Sequence, residues 1–156
     1  MTFSRTSAIM RANRAKDTGP EIALRRALHA RGLRFRLNVR NLPGSPDLVF
    51  PRHHCVIFVH GCYWHHHKGC KRATIPETNR SFWISKFEAN RVRDERTISD
   101  LRFIGWRVGV VWECSLKSDI VDDVALFIRS GAKPTREWPA KKLITYSTVR
   151  DDRDEI

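Results

Sequence analysis

No stretch of the 156 residues approaches the ~18 consecutive apolar residues that a membrane span requires, so membrane insertion is excluded. The first sixteen residues, MTFSRTSAIMRANRAK, lack the apolar core of a secretion signal, and a cytoplasmic location is expected. Internal repeats, low-complexity runs and an interdomain linker are also missing, which excludes a solenoid or a string of modules. Acidic side chains are scarce, with 17 Asp and Glu against 29 Lys and Arg and a net charge of +12. There are only four cysteines, and in an intracellular chain thiols or metal ligands are expected ahead of disulfides. What is present is a 41% hydrophobic fraction, enough for a core, so the 29% of charged residues does not signal disorder. The length fits one folded domain.

The charge is unevenly spread. Residues 1–46 hold ten basic side chains, from Arg5 to Arg40, against Asp17 and Glu21 alone. Residues 47–146 hold 17 basic and 11 acidic side chains, and the last ten residues set Asp151, Asp152, Asp154 and Glu155 against two Arg. An Arg-rich basic front half suits a polyanion, phosphate above all. A solvated basic face without a partner is the alternative.

Residues 1–16 read as a flexible basic arm carrying Met10, Arg11 and Arg14, residues 17–130 as the folded domain, and residues 131–156 as a C-terminal tail without assigned role. Thr18, Pro20 and Glu21 mark a helix start, Ile22, Leu24, Ala27 and Leu28 supply its apolar stripe, and Gly32 ends it. Leu33, Phe35, Leu37 and Val39 alternate with polar residues and predict a half-buried strand. Short strands are expected at Leu48–Phe50 and Cys55–Val59. A long helix from about Asn79 to Phe103 follows, with Ile84, Phe87, Arg91, Asp94, Ile98 and Leu101 on one face. The strand Trp106–Trp112 and a helix stripe from Ile120 to Ile128 complete an α/β fold, a mixed central sheet flanked by helices.

Three groups of residues carry chemistry. Cys62, His67, Cys70 and the distant Cys114 have the types and spacing of a tetrahedral zinc site, although His65 and His66 compete with His67 for one position. Cys55 sits in an apolar strand and reads as a small core residue. Asp47, at the start of a strand after Pro46, Asp94 on the long helix and Glu21 on the first helix all lie on otherwise apolar stripes. Such acids are costly unless paired or metal-bound, so one shared site is expected. His60 ends a buried strand, and His65 could take a proton from water near neutral pH with Asp94 orienting it. Tyr63 and Trp64 stand in a loop flanked by glycines and basic residues, where they could stack on or wedge between bases, or else belong to the core.

The runs Leu-Pro-Gly-Ser-Pro-Asp (42–47), Cys-Val-Ile-Phe-Val-His-Gly-Cys-Tyr-Trp-His-His-His (55–67), Arg-Asp (93–94), Gly-Trp-Arg-Val (105–108) and Val-Trp-Glu-Cys (111–114) closely resemble those of the very short patch repair endonucleases, over roughly residues 8 to 116. The resemblance implies a PD-(D/E)xK restriction-endonuclease-like fold and Mg²⁺-dependent nicking of double-stranded DNA beside a T:G mismatch, the product of 5-methylcytosine deamination. It implies that Asp47 and the main-chain carbonyl of Val59 hold one or two Mg²⁺, that His65 with Asp94 handles the attacking water, and that His60 assists at the phosphate. Glu21 would act in the metal's outer shell. Cys62, His67, Cys70 and Cys114 would bind structural Zn²⁺, and Met10, Tyr63 and Trp64 would wedge into the duplex; the charge of the arm, Arg11 and Arg14 included, is expected to grip the DNA backbone.

The chain departs from the family pattern at Val59, usually Thr, and at Tyr63, usually Phe, and it has one extra residue within Lys68-Gly69. The superfamily's acid-x-Lys is replaced by Phe58-Val59-His60, so the chemistry leans on histidine. The expected function is mismatch nicking by a monomer. A restriction-like nuclease of the same fold and a non-catalytic zinc-containing DNA-binding module are the alternatives.

Overall fold

The computed structural model describes residues 18–117 and 119–140. Helix α1 spans Gly19–Ala30, with the Thr18 hydroxyl accepting the Glu21 N–H and Pro20 in the first turn. Strand β1 is Leu48–Phe50, β2 is Cys55–His60, helix α2 is Arg80–Phe103, β3 is Arg107–Trp112, α3 is Val121–Ser130 and β4 is Thr135–Trp138. The four strands lie side by side in chain order. Strand β1 runs antiparallel to β2, as a short connection allows, and β3 and β4 are each parallel to the preceding strand. This is the expected mixed sheet.

The side-chain alternation of the strands divides the core in two. Leu48, Phe50, Ile57 and Val111 face α1 and α3, where Leu24, Leu28, Val124, Phe127 and Ile128 are buried against them. Val49, Val56, Phe58, Val108, Val110 and Trp112 face the other way, toward Leu101 and Ile98 of α2. The sheet is thus covered on both faces, and β1, β2 and β3 read as largely apolar runs. No helix among the described residues is long and apolar enough to cross a membrane.

Three expectations are corrected. The strand over Leu33–Val39 reduces to a single bridge between Arg36 and Val49, because Asn38 turns the chain at φ 56°. Leu33 is still buried, and Phe35 packs edge-on against Phe50. On α2, Ile84 is exposed and its neighbour Trp83 is buried instead, in contact with Phe87. The third correction concerns residues 131–156, expected as a tail. Thr135–Trp138 is a strand of the sheet, and Trp138 is buried in the core. Asp123 of α3 fastens it, accepting the Trp138 indole N–H at 2.9 Å and pairing with Arg136. The folded unit therefore extends to Trp138 at least.

Gly109 makes room for that strand. A Cβ there would lie 2.5 Å from Ile57 Cδ1, 3.1 Å from the Trp138 ring and 3.2 Å from Phe127. Gly109→Ala is expected to destabilise the protein by about 1–3 kcal/mol, as overpacked cores do, measured as a lower urea midpoint at unchanged slope.

Candidate active site

A cleft of about 1430 Å³ opens beside the sheet and is lined by Glu21, Asp47, Val59, His60, His65 and Asp94, among others. They come from α1, the residue before β1, the end of β2, the loop after it and α2. Asp47 immediately precedes β1, and its Oδ2 accepts the Val59 N–H of β2 at 2.7 Å. Burial raises its carboxyl from the ordinary 3.8 to about 6, against the pull of that hydrogen bond and with a contribution from the nearby Glu21 charge. Glu21 is only 5% exposed and receives a hydrogen bond from Arg25 at 3.2 Å, one turn along α1. Glu21, Asp47 and Asp94 thus line one cleft.

Opposite them stands a histidine pair. His65 Nδ1 and Asp94 Oδ2 are 2.6 Å apart, joining the loop after β2 to the middle of α2. Burial works to raise the Asp94 carboxyl, but the hydrogen bond with His65 and the nearby charges of His65, His60 and Arg93 together outweigh it and hold the group below the usual carboxylate range. The His60 ring stacks on His65 with centroids 3.9 Å apart and planes within 1°. Burial pushes His60 down to about 3, and proximity to His65 adds to this, so His60 is a neutral imidazole at physiological pH. With Nδ1 of His65 engaged by a carboxylate, its Nε2 is the nitrogen left to exchange a proton. This is the geometry of an oriented base.

The second cluster lies just beyond. The ligand atoms of Cys62, His67, Cys70 and Cys114 all fall within 4.8 Å of one another. His67 Nδ1 is 3.7 Å from Cys62 Sγ and 3.5 Å from Cys114 Sγ. A tetrahedral zinc with bonds of about 2.3 Å to sulfur and 2.0 Å to nitrogen has sulfur–nitrogen edges of about 3.5 Å, so the four side chains fit such an ion. Burial pushes the Cys62 thiol up to about 12 when no cation is present to favour the thiolate. Of the three adjacent histidines, His67 joins this cluster, His65 joins Asp94, and His66 stacks on Phe87. Cys55 is buried in the core strand, and burial likewise pushes its thiol up to about 12.

Tyr63 and Trp64 are half-buried at the wall of the cleft, Tyr63 edge-on to both Trp64 and Phe87. Partly covered by these ring contacts and partly exposed, they stand between the two alternatives that their sequence context left open. Met10, Arg11 and Arg14 lie outside the described residues.

Several supporting residues escaped the sequence reading. Asn90 of α2 donates to the Trp64 carbonyl at 3.1 Å, and its spacing of four from Asp94 was the available signal. Glu113 accepts the Cys62 N–H at 3.3 Å and also faces Arg72. Trp112 packs its ring flat on His67 at 4.1 Å, a contact between distant segments that left no local trace.

Asp47 yields a pH-dependent prediction. Its folded pKa of about 6 exceeds the ordinary 3.8, so the folded state holds the proton more tightly. The associated stability is fully present below pH 3.8 and is lost as pH rises through 6. At about 1.4 kcal/mol per pH unit the loss is on the order of 3 kcal/mol. Without added divalent metal, Asp47→Asn should match the native chain near pH 4 and exceed its stability by roughly that amount at pH 7.5, as read from urea melts at the two pH values.

The chain is similar to proteins that have been characterised. Residues 1–72 match the family model described as DNA mismatch endonuclease Vsr. The type II nicking enzyme V.XorIIP of Xanthomonas oryzae pv. oryzae is 50% identical over 108 residues, which cover 69% of this chain and 79% of that protein. The DNA mismatch endonuclease Vsr of Escherichia coli K12 is 47% identical over 108 residues, 69% of each chain. The type II nicking enzyme V.NmeAIP of Neisseria meningitidis serogroup A is 38% identical over 120 residues, 77% of this chain and 85% of its own. With half of its aligned residues shared, a cleft that gathers two acids and a histidine–aspartate pair, and a four-ligand cluster just beyond it, the chain belongs to the Vsr family of DNA mismatch endonucleases.

Proposed function

We propose that this protein recognises a T:G mismatch in double-stranded DNA and nicks the T-containing strand on its 5′ side, acting as a monomer with Mg²⁺ in the cleft and Zn²⁺ in the Cys/His cluster. The observation that carries the reading is the His65–Asp94 pair, stacked on a neutral His60, in the same cleft as the half-buried Asp47. A DNA endonuclease needs a base for water, a place for a cation and a cationic surface for the backbone. The chain offers each of them.

Asp47 and the Val59 carbonyl would hold Mg²⁺, with Glu21 behind them. The fit rests on Asp47 itself, a half-buried carboxylate raised to about 6 and lying beside a second acid, which a cation would stabilise. Bound there, Mg²⁺ supplies positive charge against the charge that builds on the phosphate and leaving oxygens. His65 Nε2 takes the proton of the attacking water, and Asp94 holds the ring in the required tautomer and favours its charged form. His60 stays neutral, so a proton on His65 meets no second positive imidazole beside it. Zn²⁺ on Cys62, His67, Cys70 and Cys114 would tie the loop after β2 to the end of β3, fixing His65 between two anchored ends.

Selectivity follows from the aromatic wall. Tyr63 and Trp64 can enter between base pairs only by unstacking them, and a mispaired step resists this least. The relatives named as nicking enzymes support cutting of one strand over a restriction-like double cut.

A labelled duplex with a single T:G pair tests the proposal. With Mg²⁺ present, the nick should fall on the T strand only, disappear in Asp47→Ala, and slow by roughly 10²–10⁴-fold in His65→Ala. Equal cutting of a fully matched duplex would favour the restriction-like reading, and tight binding without cleavage would favour the non-catalytic one. Zinc is tested separately. The purified native chain should carry one zinc by elemental analysis, and Cys70→Ser should lose it together with a marked drop in melting temperature.

A further inference from the structure

Trp112 stands between the two clusters of the site. One face of its indole lies flat on His67 at 4.1 Å and 7°, and the ring stands at 77° to His60 with centroids 5.1 Å apart. His60 in turn lies flat on His65. A continuous stack of rings therefore runs from the Cys/His cluster through Trp112 and His60 to the proposed base, and each ring's tilt constrains the next. The middle of this run of rings is held from an unexpected direction. The Trp112 indole Nε1–H donates to Glu137 Oε1 at 2.5 Å.

Glu137 belongs to β4, the strand in the region expected to be a tail. Its register partner is Val110, two residues before Trp112, so both side chains emerge on the α2 face of the sheet. We infer that Glu137 is a positioning residue for DNA hydrolysis, holding the plane of Trp112 and through it the orientation of the His60 ring on which His65 rests. Trp112 is only 8% exposed, and a buried indole N–H requires an acceptor. A carboxylate provides a bond roughly twice as strong as a neutral acceptor would, and a fixed direction. Without it the indole can turn about its side-chain bonds, and the flat contact with His67 and the edge contact with His60 are released together. Displacements on the order of 1 Å in such supporting groups cost catalysis up to about a hundredfold.

The inference rests on the assignment of His65 as base, and the test separates the two. Single-turnover nicking of the T:G duplex and duplex affinity would be measured for the native chain, Glu137→Ala, Glu137→Gln, Trp112→Phe and the Glu137→Ala/Trp112→Phe double variant, each normalised to folded protein. Glu137→Ala should lower the nicking rate constant at least tenfold with affinity within twofold. Glu137→Gln, which keeps an oxygen acceptor, should stay within about threefold of native. Trp112→Phe, which keeps a ring and loses the N–H, should reproduce Glu137→Ala, and the double variant should be no slower than either single one. A native rate in Glu137→Ala, equal losses of rate and affinity, or additive effects in the double variant would overturn the inference. If the native chain itself does not nick, the mismatch-nuclease reading fails. The ring contact is then judged by nuclear magnetic resonance, where the His60 and His67 imidazole signals must move in Glu137→Ala and stay in place in Glu137→Gln. Unmoved signals overturn it.

Discussion

The hydrogen bond from the Val59 N–H to Asp47 is the interaction on which the site depends. It joins the residue just before β1 to the next-to-last residue of β2, closing the β1–β2 hairpin at the end where the cleft lies. A carboxylate so placed is held where hydration is poor, and one N–H does not compensate for the lost water, so the group is left proton-hungry. That imbalance makes it a receptive ligand for a cation. The same strand then delivers His60 one residue later, so a single backbone direction sets both the acid and the first histidine.

Helix α2 does the complementary work from the other side. Its C-terminal half is pinned to the sheet by Leu101, completely buried, and its middle presents Asp94 to His65. Its N-terminal half carries Trp83 and Phe87, which back the aromatic wall through Trp64 and Tyr63. One rigid rod thus spaces the base from the residues proposed to enter the duplex. The apolar stripe that anchors the helix and the polar residues that serve the site share its length.

Much of this was legible in the sequence because the chemistry is concentrated in short windows. Residues 55–67 hold a buried strand, five of the proposed site residues (Val59, His60, Cys62, His65 and His67) and both wall aromatics, and the inward acids betrayed themselves by standing on apolar stripes. The partition of His65, His66 and His67 was not legible, since adjacent residues are sorted by loop geometry that spacing does not encode. In the folded chain His66 adopts a left-handed conformation, with φ 48°, and lies on Phe87. Leu33–Val39 misled through a true alternation, because Leu33 and Phe35 are indeed covered while the backbone turns away at Asn38. Thr135–Trp138 gave the opposite error. The segment Thr-Arg-Glu-Trp has little apolar content of its own and becomes a strand because β3 offers an open edge and Gly109 leaves space for Trp138.

The parallel pairing of β2 with β3 has a kinetic meaning. The two strands are neighbours in the sheet, yet everything from residue 61 to residue 106 lies between them in the chain, including the Cys/His loop and all of α2. Forming that ladder means closing a long loop before its contacts repay the lost entropy, the slow kind of step in folding. The His65–Asp94 pair and the union of Cys62 with Cys114 lie within or across that loop, so the cleft matures only with the ladder. A chain in which that ladder is open holds Cys62 and Cys114 apart, so the four-ligand cluster is complete only where β2 and β3 are paired.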